Sequence, residues 1–157
     1  MKIATLCLLI RNGKLLLGKK QKKIGKGKWN GCGGGIEPGE TIKAGAVREI
    51  LEETGLTVAE EDLEAAALIS FYAGGEPTWK VHVFLVHEWT GEPKDTDEMR
   101  DFKEFSTDAL PFDDMLPGDR EWMPLVLSGR KIQAGAWYDT STEVLELFSV
   151  SKTEWRP

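Results

Sequence analysis

Asn12-Gly13 separates two apolar runs, Ile3 to Ile10 and Lys14 to Gly18. An Asn-Gly pair accepts positive φ at both positions, so it favours a tight turn whose twist matches the strands on either side. The chain is thereby committed to open as a β-hairpin. A glycine- and lysine-rich loop follows, and then "ETIKAGAVREILEETG" changes the apolar period from two to 3.6. Thr41 suits an N-cap and Gly55 a stop, so a helix is predicted over Thr41–Thr54. Leu63–Ala73 and Trp79–Trp89 read as strands around a "GGEP" turn, with Val81, Val83 and Leu85 on one face and His82 and Phe84 on the other. Trp122–Ser128 reads as a second helix ending at Gly129. Lys131–Tyr138 and Val144–Val150 read as a closing strand pair joined by "DTSTE". With no repeat, low-complexity tract or linker, residues 1–157 are expected to form a single α/β domain, a mixed sheet with helices packed on it.

Composition narrows the function classes. At 41% hydrophobic and 29% charged residues, the chain suits a globular core and not a disordered tail. "MKIATLCLLI" begins like a weak signal peptide, but no small-residue cleavage site follows and "RNGK" is already the hairpin turn. No apolar run approaches the roughly 20 residues that span a bilayer, so no membrane partner is expected. Cys7 and Cys32 are too few and too far apart in sequence for a zinc site or a disulfide framework. A reducing, cytoplasmic setting is the expectation.

Charge is unevenly spread. Residues 1–36 hold nine Lys or Arg and no acid, leaving −15 on the rest of a chain whose net charge is −6. That basic end is either a local anion site or a solvated lysine loop. No aromatic-interleaved basic surface is present, so no stable nucleic-acid partner is expected.

The predicted helix raises the sharper question. With residues about 100° apart and Glu49 at zero, Glu52 falls near −60° and Glu53 near +40°, all within a third of the circumference. Ala44, Val47, Ile50, Leu51 and Thr54 fall opposite, the side expected to face the sheet. Like charges three and four residues apart repel by a few tenths of a kcal/mol per pair, and the helix C-terminus disfavours anions. Only Arg48 lies close enough to offset them. Two readings follow: a solvated acidic face, or a site for a hard divalent cation, Mg²⁺ or Mn²⁺, since no His or Cys accompanies the carboxylates.

The preceding "WNGCGGGIEPGET" is rich in glycine yet fits no common phosphate loop. A GxGxxG frame from Gly31 fails at Ile36, one from Gly33 fails at Pro38, and no Gly-x4-Gly-Lys-Ser/Thr occurs. Taken with the helix, Gly34, Glu40, Arg48, Glu49, Ile50, Glu52, Glu53, Gly55 and Leu56 resemble the Nudix hydrolase signature at all nine specified positions over 23 residues. The resemblance implies the Nudix fold, an α/β/α sandwich with a central mixed β-sheet. It also implies Mg²⁺-dependent hydrolysis of a nucleoside diphosphate linked to another group, with Mn²⁺ a possible substitute. Carried over by position, Glu49, Glu52 and Glu53 would be metal ligands, and Glu53 also the group that activates water. Arg48 would hold a ligand glutamate, Glu40 would be structural or outer-sphere, and the Gly34 carbonyl would complete the shell.

A narrower resemblance covers most of the chain. "GKWNGCGG", "VHVF", "DEMR" and "PFDDMLPGDREWMPLVL" are similar to the oxidised-purine nucleoside triphosphatases, MutT-type enzymes and their animal form in particular. This implies cleavage of a substrate such as 8-oxo-dGTP to a monophosphate and pyrophosphate. Glu98 would be a further metal-binding or catalytic carboxylate. Asn30 and Asp119 would read the base, although Asn30 also suits a turn and Asp119 a helix N-cap. Thr5, Lys20, Trp79 and Leu116 would complete the substrate site, with Lys20 toward the phosphates.

The chain departs from that family where Gly118 replaces a second pocket aspartate and Leu116 a stacking tryptophan, while Trp79 and Ile24 stand for a methionine and a phenylalanine. Loss of a stacking ring removes about 1–3 kcal/mol of base affinity. Other substrates of the same chemistry stay open: another modified or unmodified dNTP, a dinucleoside polyphosphate, ADP-ribose or an RNA 5′ end. A binding module without catalysis is the third reading, and the intact glutamates oppose it. The sequence leaves the oligomeric state open, with a monomer slightly favoured.

Overall fold

The computed structural model describes residues 1–157. The opening hairpin forms as its turn dictates: β1 (Lys2–Arg11) and β2 (Lys14–Lys20) pair antiparallel, with Asn12 and Gly13 both at positive φ. The short β3 (Trp29–Asn30) pairs with β2, and α1 (Ile42–Thr54) follows. Thr41 Oγ1 caps α1 by accepting the Ala44 N–H, and Gly55 ends it at φ 78°. β4 (Leu63–Ala73) and β5 (Glu76–Val86) form a second hairpin. The expected strand at Trp79–Trp89 thus begins and ends three residues earlier, because Glu76 and Pro77 already pair with Ala73 and Tyr72. β6 (Met99–Ser106), α2 (Asp119–Leu127), β7 (Ile132–Tyr138) and β8 (Leu145–Val150) complete the chain.

The eight strands form one mixed sheet in the order β3-β2-β1-β5-β4-β7-β8, with β6 paired to the free side of β2. β1 runs parallel to β5 and β4 parallel to β7; the other pairs are antiparallel. Alternate residues feed two cores. Leu8, Val83 and Leu85 face α2 with Trp122, Met123 and Val126, whereas Cys7, Leu9, Phe84 and Val86 face α1 with Ala46 and Ile50. Each fully buried Leu, Ile or Met contributes about 1.5–3 kcal/mol of apolar transfer. The arrangement is the expected α/β/α sandwich.

Two local expectations change. α2 starts at Asp119 and not Trp122, which leaves Gly118 in the cap position. Leu51, placed on the buried side of α1, is half exposed, while Glu53 is fully buried. The buried arc is turned toward the glutamates because loop 31–35 covers that side of the helix, so the acids do not all face away from the protein. Cys7 and Cys32, distant in sequence, oppose each other across a bridge as free, buried thiols.

Candidate active site

The glycine loop runs antiparallel beside the first half of β1. Thr5 N–H donates to Gly34 O at 2.9 Å, Cys7 N–H to Cys32 O at 2.7 Å and Ile36 N–H to Ile3 O at 3.1 Å. This track leaves no room for side chains. A Cβ on Gly33 would stand 1.9 Å from Thr5 O, and one on Gly34 would stand 2.6 Å from the Glu49 carboxyl carbon. Glycine therefore lets the loop slide between β1 and the acidic side of α1. The Gly33 N–H donates to Glu53 Oε1 at 2.7 Å.

Glu53 is completely buried, and its Oε2 has no hydrogen-bond partner. The Lys20 ammonium stands 3.8 Å from that oxygen. Burial pushes the Glu53 carboxyl up to about 7, with Glu49 and Glu98 adding to the rise and Lys20 and the Gly33 N–H opposing it. The segment before β6 ties down the end of α1: Lys94 N–H donates to Thr54 O at 2.8 Å and the Thr96 hydroxyl to Glu53 O at 3.0 Å. That docking carries Glu98 to the same place. Carboxylate oxygens of Glu49, Glu53 and Glu98 lie within 4.8 Å of one another. Glu49 is also raised, by burial first, against the pull of Arg48.

Arg48 organises the rim. Its Nε and Nη2 donate to the two Glu40 oxygens at 3.1 and 2.7 Å, and Nη2 also to Gly35 O at 3.0 Å. Nη1 donates to Glu49 at 2.9 Å and Glu52 at 3.1 Å. The fork holds the Glu40 carboxyl down to about 2, helped by the Glu37 N–H. Glu40 is thus tied to the loop and to Arg48. Glu52 is half exposed, held only by Arg48, and stands outside the three-carboxylate group.

An orphaned, buried carboxylate oxygen among two further carboxylates, with no nitrogen or sulfur donor, fits a hard divalent cation. From this group a cleft of about 320 Å³ runs toward α2 and β7, a size suited to a small-molecule ligand. Gly34, Thr5, Lys20, Asn30, Trp79, Leu116 and Asp119 all line it.

A family model described as the NUDIX domain matches residues 1–126. The chain belongs to the Nudix family. It is 42% identical over 131 residues to the oxidized purine nucleoside triphosphate hydrolase of Danio rerio, covering 83% of this chain and 82% of that protein. The Mus musculus protein of the same name is 40% identical over the same shares. A crystal structure of the mutator MutT protein from Bacillus halodurans superposes with a TM-score of 0.81 at 25% identity, covering 98% of this chain and 99% of that one.

Nudix hydrolases generally use divalent metal ions, and the cluster at the end of α1 has the donors for one. The Nudix signature accounts for loop, helix and clamp; Glu98 reaches the cluster from outside it. At the opposite end of the cleft Asp119 is buried within the first turn of α2, not capping it. Its Oδ1 accepts the Trp122 indole N–H at 3.2 Å, while Oδ2 has no partner. Burial pushes this carboxyl up to about 7, against that indole bond. Thr5 Oγ1 is likewise buried without a partner. Asn30 Oδ1 accepts the Gly31 N–H at 2.9 Å, which orders the turn and leaves the side-chain NH₂ without a protein partner. Lys22, Lys23 and Ile24 also line the cleft. Phe71, Tyr72 and Tyr138 also line the cleft. They carry no motif, since β4 and β7 bring them there only through the sheet.

Proposed function

We propose that this Nudix protein is a Mg²⁺-dependent nucleoside triphosphate pyrophosphohydrolase that converts an oxidised purine triphosphate, such as 8-oxo-dGTP, to its monophosphate and pyrophosphate. The observation that carries the reading is the meeting of the Glu49, Glu53 and Glu98 oxygens at a cleft that Glu49 and Glu98 line and that reaches the buried, unpartnered Asp119 carboxyl. The names and identities of the Danio rerio and Mus musculus relatives support the choice of substrate.

A polyphosphate is anionic and repels an incoming hydroxide. When bound, the divalent cation supplies charge neutralisation and a water of lowered pKa. Glu49, Glu53 and Glu98 would provide its oxygen ligands, with Mn²⁺ as the substitute; the Gly34 carbonyl, expected to join them, accepts the Thr5 N–H. Glu52 serves at the outer edge through Arg48. Glu53 takes the proton of the attacking water through the oxygen that has no protein partner. The water oxygen bonds to phosphorus as the α–β bridge breaks and pyrophosphate leaves. Arg48 fixes Glu49 from behind. Lys20 meets the phosphate chain, while Asn30 and Asp119 take the base, Trp79 and Leu116 wall it, and Thr5 lines the cleft beside Gly34.

The two buried free thiols agree with a reducing, cytoplasmic setting. No helix is long and apolar enough to cross a membrane. A nucleotide panel assayed with Mg²⁺ tests the function. The highest kcat/KM is expected for an oxidised purine triphosphate, and Asn30→Ala should raise KM far more for that substrate than for dTTP. A higher kcat/KM for ADP-ribose or a dinucleoside polyphosphate would displace the substrate assignment while keeping the chemistry.

A further inference from the structure

The base end of the cleft holds a second polar group that the signature does not mark. Tyr138, in β7, lines the cleft and is almost fully buried. Its Oη accepts the Gly118 N–H at 2.8 Å. A phenol offers one proton and two lone pairs. The Gly118 bond takes a lone pair, and the proton has no acceptor within the protein.

Gly118 makes this possible. A Cβ at that position would lie 2.6 Å from Tyr138 Oη, so the hydroxyl fills the space that a side chain at 118 would occupy. The neighbouring residue is Asp119, whose Oδ2 is buried and unpartnered. β7 and α2 thus present one phenolic donor and one carboxyl oxygen to the same end of the cleft. Phe71 stacks on the Tyr138 ring at 6.3 Å between centroids and 21° between planes, which fixes its orientation.

We propose that Tyr138 is a specificity-determining residue, donating its hydroxyl proton to a carbonyl oxygen on the purine edge while Asp119 accepts from the adjacent ring N–H. A guanine-type edge presents that order, a C=O beside an N–H. An adenine-type edge presents an NH₂ beside a bare ring nitrogen, the reverse. Burial lifts the Tyr138 phenol to about 12, so it remains a donor across the neutral range. A buried donor of this kind discriminates strongly, because the wrong base leaves it unpaired.

The inference rests on the substrate reading above, and 8-oxo-dGTP compared with 8-oxo-dATP tests it. Both carry the 8-oxo group and differ at the edge that Tyr138 would read. Wild type is expected to favour 8-oxo-dGTP in kcat/KM. Tyr138→Phe keeps the ring and should lower that ratio at least tenfold, mainly through KM for 8-oxo-dGTP. Gly118→Asp alone should lower it too, by displacing the hydroxyl. Gly118→Ala, which crowds the hydroxyl without adding a charge, should lower it in the same way, with weaker 8-oxo-dGMP binding read by titration calorimetry without metal. Melting temperatures accompany each variant. If Tyr138→Phe unfolds, Gly118→Ala carries the test, and a ratio and 8-oxo-dGMP affinity unchanged in folded Gly118→Ala overturn the proposal. A ratio unchanged in folded Tyr138→Phe, or equal turnover of both substrates by wild type, also overturns it. No turnover of either by wild type overturns the substrate reading itself.

Discussion

Glu53 on α1 and Gly33 in the glycine loop are joined by a 2.7 Å hydrogen bond across 20 residues of sequence. This bond determines which oxygen of Glu53 is occupied and which is available. Oε1 is satisfied by the loop, and Oε2, 3.8 Å from the Lys20 ammonium, has no hydrogen-bond partner. Loop and helix together therefore prepare one carboxylate oxygen for chemistry.

Glu53→Gln keeps the Gly33 bond through its amide oxygen and removes the charge. Turnover should fall by about 10² to 10⁴, the scale of a lost general base. The melting temperature without metal should hold or rise, since a buried charge is removed. Steady-state kinetics and thermal unfolding check both, and near-wild-type turnover in Mg²⁺ would remove Glu53 from the reaction.

Arg48→Lys should fail despite its retained charge. One ammonium cannot make the paired bonds to Glu40 while also reaching Gly35 O, Glu49 and Glu52. Lower Tm and weaker Mn²⁺ binding by calorimetry are expected together. The clamp also has a pH signature. Glu40 is held below its ordinary value, so its contribution is present above about 4.5 and is lost only as pH falls through about 2. Arg48→Lys should lose stability at higher pH than wild type on acid titration.

Divalent cation binding should raise Tm, and Glu98→Gln should blunt that rise. Protons compete for the same oxygens. With Glu53 at about 7, Mn²⁺ affinity should strengthen from pH 5 to pH 7, by roughly tenfold per unit at most for one displaced proton. Calorimetry at several pH values measures it, and a flat profile would count against Glu53 as a ligand.

Asp119 shapes stability in the opposite direction. Its carboxyl is raised from 3.8 to about 7, so the fold without a base bound prefers the protonated form below that value, and a bound N–H favours the ionised one. The stability this preserves is complete below about 3.8 and is lost as pH rises through about 7. Asp119→Asn keeps an oxygen for the Trp122 indole and does not titrate. Relative to wild type it should gain about 2–3 kcal/mol between pH 5 and pH 8. Denaturant melts at the two pH values test this.

The legible parts of the fold were those written in local chemistry. Asn12-Gly13, Thr41 and Gly55 each specify a backbone conformation on their own, and the structure has all three in place. β6 was not legible, because Met99, Phe102 and Phe105 repeat every three residues. Asp101 at φ 58° and a register shift opposite β2 break the strand period there. The buried side of α1 does not follow from the apolar pattern for a related reason. A helical wheel treats Glu53 as polar and Leu51 as apolar, whereas the loop supplies an N–H for the first and leaves the second in water. Glu49 and Glu53 were readable from the signature, and Glu98 from the wider resemblance. Tyr138 was not, since its role depends on the absence of a side chain at Gly118 twenty residues away.

The central claim is that the Glu49, Glu53 and Glu98 cluster, with its cation, breaks the α–β phosphoanhydride of a purine triphosphate. Phosphorus NMR of 8-oxo-dGTP incubated with the protein and Mg²⁺ tests it most directly. Pyrophosphate and 8-oxo-dGMP should appear in equal amounts, and chelating the cation should abolish both. Release of orthophosphate and a diphosphate, or undiminished turnover with the cation removed, would contradict it.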